Sequence, residues 1–179
     1  MLDLNKNFVD EVYDENGHVV DYTLKCPENF NFAYDVVDAI AAAEPDKRAL
    51  LWCNPAGEER IFTYGDLKYY SDKPANMLRV KGIKKGDMVM VILKRHYQFW
   101  FTIVALHKLG AVIIPATFML QKHDIVYRAN AATIKAVVCT GDGDIAEQVD
   151  EAVRHLNSAY GKTIVMVIHE VNEAARFAD

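Results

Sequence analysis

Serine is nearly missing from this sequence: Ser71 and Ser158 are the only two in 179 residues. With so few, no Ser/His/Asp nucleophilic arrangement can be assembled. Cysteine is also sparse. Cys26, Cys53 and Cys139 are odd in number and far apart, with no CxxC pair and no Cys/His cluster. That excludes a disulfide framework and a structural zinc site, and it predicts free thiols in a reducing compartment, the cytoplasm. A long apolar run is missing too. The most apolar window, 97–120, is interrupted by His107, Lys108, Gly110 and Pro115, whereas a membrane span needs roughly 20 mostly apolar residues. Residues 1–8 carry no cationic start ahead of an apolar run, so they do not read as a signal peptide. Excess positive charge is lacking as well. The net charge of −5 gives no general attraction to nucleic acid or to an anionic membrane.

The content that remains is that of a folded α/β protein. Hydrophobic residues make up 51%, enough for a core, and the length allows one domain with or without an arm. Charge is uneven: Arg79 to Arg95 holds six basic residues and one acid, leaving the remainder at about −10. This run reads as a solvated loop between a helix and a strand, or as a basic patch able to meet a phosphate-bearing ligand.

Residues 1–32 lack sustained periodicity and read as an irregular arm, with a turn signal at Asp14-Glu15-Asn16-Gly17 and with Phe30 and Phe32 as anchors. Residues 33–44 predict a short helix with Val36, Val37, Ile40 and Ala41 on one face, ended by Pro45. Residues 48–63 predict a β-hairpin around Asn54-Pro55-Ala56-Gly57. Thr63-Tyr64-Gly65-Asp66 reads as a capping box with Asp66 in place of Glu. The helix it opens runs to about Lys81, with Leu67, Tyr70, Met77, Leu78 and Pro74 towards its buried side. Pro74 inside that helix costs about 3 kcal/mol.

Short apolar runs then alternate with helical periods. Strands are expected at 88–93, 112–115, 136–139 and 164–168, with helices at 99–109, 122–132 and 144–156 between them. The helix 99–109 is apolar nearly all round and so reads as buried, with Gly110 at its C-terminal stop. This alternation predicts an open parallel sheet with helices on both faces, over residues 33–168, preceded by the arm, a helix and the hairpin, and followed by a tail at 169–179.

Ligands of open α/β sheets bind beyond the carboxyl ends of the strands. Of the four such segments, Pro115 to Gln121 has the best mix for a substrate wall. Thr117, Phe118 and Met119 offer one hydroxyl and two large apolar groups; the plainer reading is a loop capping the next helix. Tyr97, Phe99, Trp100 and Phe101 could line a pocket, but aromatics on an apolar helix usually form core. Gly161-Lys162-Thr163 lacks the first Gly and the following helix of a phosphate loop. Gly141-Asp142-Gly143-Asp144 reads as a tight turn whose aspartates would repel phosphate. The histidines at 18, 96, 107, 123, 155 and 169 show no metal-ligand spacing.

An ordered series of motifs spans about 61–140: Thr63-Tyr64-Gly65-Asp66-Leu67, then Ala75-Asn76, then Gly82-Ile83-Lys84-Lys85-Gly86-Asp87, an apolar strand, an apolar helix closing on Gly110-Ala111, and a strand ending in Pro115. In this order the series resembles the opening part of acyl-CoA synthetases of the adenylate-forming, AMP-binding superfamily. The Trp100 region and Pro115-Ala116-Thr117 look closer to the short- and medium-chain acyl-CoA ligases than to luciferases or peptide-synthetase domains. The resemblance implies a two-step reaction: a carboxylic acid and ATP give acyl-AMP and pyrophosphate with the help of Mg²⁺, and CoA then takes the acyl group. The family's Ser/Thr/Gly-rich phosphate loop, its adenine and ribose contacts and its catalytic Lys have no counterpart here, so no catalytic residue is carried over. The expectation is therefore a truncated N-terminal fragment of such a ligase, inactive alone, and self-associating through exposed apolar surface. The alternatives are a free-standing α/β binding or interaction module without catalysis, and an unrelated doubly wound nucleotide-binding protein.

Overall fold

The computed structural model describes residues 5–141, 144–160 and 165–168, with only the backbone course for Asn5, Tyr160 and 165–168. The chain divides into two compact units, Met1–Tyr69 and Tyr70–Asp179.

In the first unit a single helical turn, α1 (Asn5–Phe8), leads into an antiparallel hairpin of β1 (Val9–Tyr13) and β2 (Val19–Leu24). The segment read as irregular is therefore a β-ribbon. Its strands escape a periodicity reading because neither face is buried: every residue of β2 is exposed. The turn signal holds. Asp14 Oδ1 accepts from the backbone N–H groups of Asn16 and His18 at 2.9 and 2.8 Å, and Gly17 takes φ 80°. Phe30 packs edge-on against Phe8, with centroids 5.1 Å apart, while Phe32 stays 47% exposed.

A π-helical turn, Ala33–Asp38, continues into α2 (Ala39–Ala43) and buries Ala33, Val37, Ile40 and Ala41. Strands β3 (Arg48–Cys53) and β4 (Glu59–Thr63) form the second hairpin. Its turn repeats the chemistry of the first: Asn54 Oδ1 accepts from Ala56 and Glu58 N–H, both at 3.0 Å. The capping box forms, with Asp66 N–H donating to Thr63 Oγ1 at 3.1 Å and Thr63 N–H donating to Asp66 Oδ2 at 3.0 Å. It opens α3 (Tyr64–Val80), which belongs to the second unit from Tyr70 onward and retains Pro74 inside. The buried face of α3 is Ser71, Ala75 and Leu78. Of the expected face, Leu78 is buried and Leu67 and Pro74 are half-buried, whereas Met77 and Tyr70 are 38% and 40% exposed; the small residues Ser71 and Ala75 fill the buried places instead.

In the second unit β5 (Met88–Ile92), β6 (Val112–Pro115), β7 (Ala136–Cys139) and β8 (Val165–Ile168) pair in parallel in the order β6-β5-β7-β8. Helices α4 (Gln98–Leu109), α5 (Lys122–Ala131) and α6 (Ile145–Tyr160) connect them. Strand alternation sends Met90, Ile92, Val137 and Cys139 into one core with Ile125 and Ala129 of α5 and Val149, Ala152 and Leu156 of α6. Val89, Val91, Ala136 and Val138 enter a second core with Leu78 of α3 and Leu106 of α4. Helices thus cover both faces, as buried parallel strands require. Gly110 ends α4 at φ 65°. A Cβ there would stand 3.0 Å from Lys85 Cγ, so both conformation and space call for glycine.

Candidate functional site

The sheet brings the chemistry-bearing residues to its two ends. At the amino end, the Gly82–Asp87 segment is a clasp. Lys84 N–H donates to Asp87 Oδ2 at 2.7 Å. Lys135, just before β7, donates to the same oxygen at 2.7 Å and to the Gly82 carbonyl at 2.8 Å. The Lys135 hydrogen bond, with help from Lys84, holds the Asp87 carboxyl below the usual carboxylate range. Gly86 N–H donates to the Gly110 carbonyl at 2.9 Å. Also on this side, Lys108 is buried in the last turn of α4 and donates to Asp72 Oδ1 at 2.6 Å. One motif of the ordered series is thus a structural tie between strands.

The same geometry divides the basic run. Arg79, Lys81, Lys84 and Lys85 precede β5, whereas Lys94 and Arg95 follow it. Five strand residues at about 3.3 Å each separate the two groups, so they do not form one patch.

At the carboxyl end, the loops after β5, β6 and β7 converge on a cleft of about 400 Å³. Lys94, Phe118, Met119, Leu120, Gln121, Asp144, Ile145 and Gln148 line it. Two of the three residues expected in a substrate wall, Phe118 and Met119, stand here, 43% and 69% exposed. Thr117 does not line it. Its hydroxyl is taken by its own turn, accepting from Met119 N–H at 3.3 Å. The loop also caps a helix, as its plainer reading required: Gln121 N–H donates to Asp124 Oδ2 at 3.1 Å, in the first turn of α5. Lys94 Nζ sits 4.8 Å from the centre of the Phe118 ring, a cation–π contact.

The strand order adds what spacing could not supply. β6 lies to one side of β5 and β7 to the other, so the topological switch point falls between the ends of β5 and β7. His96 Nε2 and the buried Thr140 Oγ1 meet there at 3.4 Å. These two residues went unselected because nothing in the sequence tells which strands neighbour one another. Tyr97 and Phe101 pack together at 5.8 Å, as core aromatics do, whereas Trp100 is 49% exposed. Among the described residues no three His, Cys, Asp or Glu stand together as a metal site, and no helix is long and apolar enough to cross a membrane. None of the described cysteines forms a disulfide. Asp142, Gly143, 161–164 and 169–179, including the Gly161-Lys162-Thr163 segment, His169 and the expected tail, lie outside the described residues.

Curated relatives include Acyl-coenzyme A synthetase ACSM5, mitochondrial, of Rattus norvegicus, 39% identical over 69% of this chain and 22% of that protein. Another is Acyl-coenzyme A synthetase ACSM4, mitochondrial, of Mus musculus, 36% identical over 80% of this chain and 25% of that protein. The chain spans about a quarter of the length of these relatives. Among solved structures, a Mycobacterium tuberculosis fatty acyl CoA synthetase superposes with a TM-score of 0.66 at 21% identity, over 82% of this chain and 28% of that one. A benzoate CoA ligase from Burkholderia xenovorans superposes with a TM-score of 0.63 at 18% identity, over 79% and 26%. At those identities the likeness concerns the fold. The model of the AMP-binding enzyme family matches residues 37–177, a span that takes in the whole parallel sheet and the cleft at its carboxyl end, and the chain belongs to that family.

Proposed function

We propose that residues 1–179 form the opening portion of an ATP-dependent acyl-CoA ligase that joins a short- or medium-chain carboxylic acid to CoA, in fatty acid metabolism. The observation that carries this reading is the identity to acyl-coenzyme A synthetases across the same stretch that holds the ordered motifs, from Thr63 to Pro115. In this reading the segment supplies scaffold and one wall. Phe118 and Met119 give the wall its apolar surface, and Thr117 shapes the turn that presents them. None of the described residues fits Mg²⁺ as a cluster of ligands, and no reaction step is assigned to them. Three thiols outside any disulfide suit a reducing compartment, the cytoplasm in this proposal, although the relatives carry mitochondrial names.

The segment alone is expected to be inactive. Purified 1–179 should give no ATP–pyrophosphate exchange with acids from acetate to octanoate. Steady exchange above background would refute the assignment of the chemistry to other residues. Exposed apolar side chains in the first hairpin, among them Tyr13, Val20, Tyr22 and Leu24, and in the cleft loop, Phe118 and Met119, also favour self-association. Sedimentation should show weight-average mass rising with concentration; a monomer throughout would reject that part.

A further inference from the structure

One residue of the cleft has a backbone that its side chain does not favour. Lys94 has φ 42°. It stands two residues past the end of β5 and is the second residue of a turn closed by His96 N–H donating to the Leu93 carbonyl at 3.0 Å. Glycine, asparagine and aspartate are the usual occupants of such a position, and a lysine there is strained. The other non-glycine residue with positive φ among those described, Thr133 at 52°, has an ordinary reason. It lies just past the end of α5, where Ile134 N–H donates back to the Ala129 carbonyl at 3.0 Å, a helix-ending geometry that uses the left-handed region. Lys94 follows a strand, so helix ending does not account for it.

What the conformation provides is reach. The Lys94 ammonium lies over the Phe118 ring at 4.8 Å, linking the loop after β5 to the loop after β6 across the mouth of the cleft. The β6 loop is tied at its ends, by Ala116 N–H donating to the Val91 carbonyl at 2.9 Å and by Gln121 N–H donating to Asp124 Oδ2 at 3.1 Å, and more loosely between them. Met119 and Leu120 N–H donate within their own turn, to Thr117 Oγ1 at 3.3 Å and Thr117 O at 3.4 Å. Leu120 is its buried anchor, while Phe118 and Met119 stay exposed. We propose that Lys94 is the positioning residue of this cleft: its left-handed backbone carries the ammonium onto Phe118 and straps the Phe118–Gln121 wall in place. The use of that wall rests on the substrate-wall reading above, but the strap does not.

The test is backbone hydrogen exchange on the intact 1–179 chain, without substrate. Lys94→Met keeps length and removes charge; it should speed exchange of the Phe118–Gln121 amides about 2- to 5-fold, as loss of an exposed cation–π contact would. Lys94→Arg should leave the rates at the wild-type level. Phe118→Leu should match Lys94→Met, and the double variant should add nothing further. Lys94→Gly relieves the strained backbone and also removes the strap. It should speed exchange in the loop while raising Tm by about 1–3 °C, whereas a residue that merely supports the fold would move both readouts towards instability. Wild-type rates in Lys94→Met, fast rates in Lys94→Arg, additive effects in the double variant, or a lowered Tm in Lys94→Gly would each overturn the proposal. Failure of the ligase reading would leave all of these rates unchanged, so the two can be told apart.

Discussion

At the amino end of β5, Asp87 accepts from Lys84 and Lys135, and Gly86 is bound to Gly110 across the neighbouring connection. At the other end of the same strand, Lys94 sits in a strained turn above an open cleft, facing two exposed apolar residues of the next loop. The strand between is fully buried from Val89 to Ile92. One end ties strands together with charged hydrogen bonds; the other leaves side chains and space available. Loops that act are commonly carried on scaffolds that do not move, and here the recognisable motif Gly82–Asp87 belongs to the scaffold. A motif that identifies a family need not touch what the family binds.

The largest expected effect belongs to the tied end. Asp87→Ala removes the acceptor of both Lys84 N–H and Lys135 and leaves Lys135 without its carboxylate partner. It should destabilise the fold by about 2–3 kcal/mol, read as a lower urea midpoint at constant m-value. Lys135→Met, which removes the cation and leaves Asp87 with its Lys84 bond, should cost about 1–2 kcal/mol. If both variants unfold with the wild-type midpoint, the clasp is ornamental and the contrast between the two ends fails.

A smaller effect concerns pH. α4 delivers His107 to the tied end, and burial pushes its pKa below the ordinary 6.5. Its neutral form is therefore favoured by the fold, and the unfolded chain binds more protons in the interval. The stability it contributes is present above pH 6.5 and is lost as pH falls through the folded-state value. Asp87, lowered from 3.8, acts in a separate window: its contribution holds above pH 3.8 and disappears as pH falls through its folded value. The unfolding midpoint should drift down as pH falls below 6.5, and His107→Gln should flatten that drift without changing the acid limb below pH 3.8. A drift of equal size in His107→Gln would assign it to other groups.

The elements at the tied end were legible in sequence, but the Asp87–Lys135 tie itself, 48 residues apart, was not, and the open end was legible only in part. Strands β5 to β7, helix α4 and the Gly110 stop follow from apolar runs and a left-handed cap, which are local signals. The β1–β2 hairpin was missed because its residues alternate towards solvent on both sides, so no burial period exists to be read. On α3, Leu78 was legible, but Ser71 and Ala75 were passed over because they carry little hydrophobic weight, although both are buried. Phe118 and Met119 could be singled out together because they lie in one loop, and both line the cleft. His96 and Thr140, 44 residues apart, meet only through the order β6-β5-β7, and strand order is not a local property. Lys94 gave no signal either, since lysine has no preference for its conformation.

The smallest expected effect is at the open end, and it is what makes the comparison decisive. Met119 is 69% exposed, and its backbone N–H meets the Thr117 hydroxyl at 3.3 Å. Truncating an exposed side chain removes little buried area, and a long hydrogen bond within an exposed turn is easily replaced by water. Met119→Ala and Thr117→Ala should therefore each change unfolding free energy by no more than about 0.5 kcal/mol. If the loop were core-like, Met119→Ala would cost about 2–5 kcal/mol. A loss of that size would mean that the wall is structural and that the two ends of the sheet do not differ in kind. Equal stability alongside altered binding of a carboxylic acid or CoA by any longer protein carrying this segment would instead place these residues where the substrate-wall reading puts them.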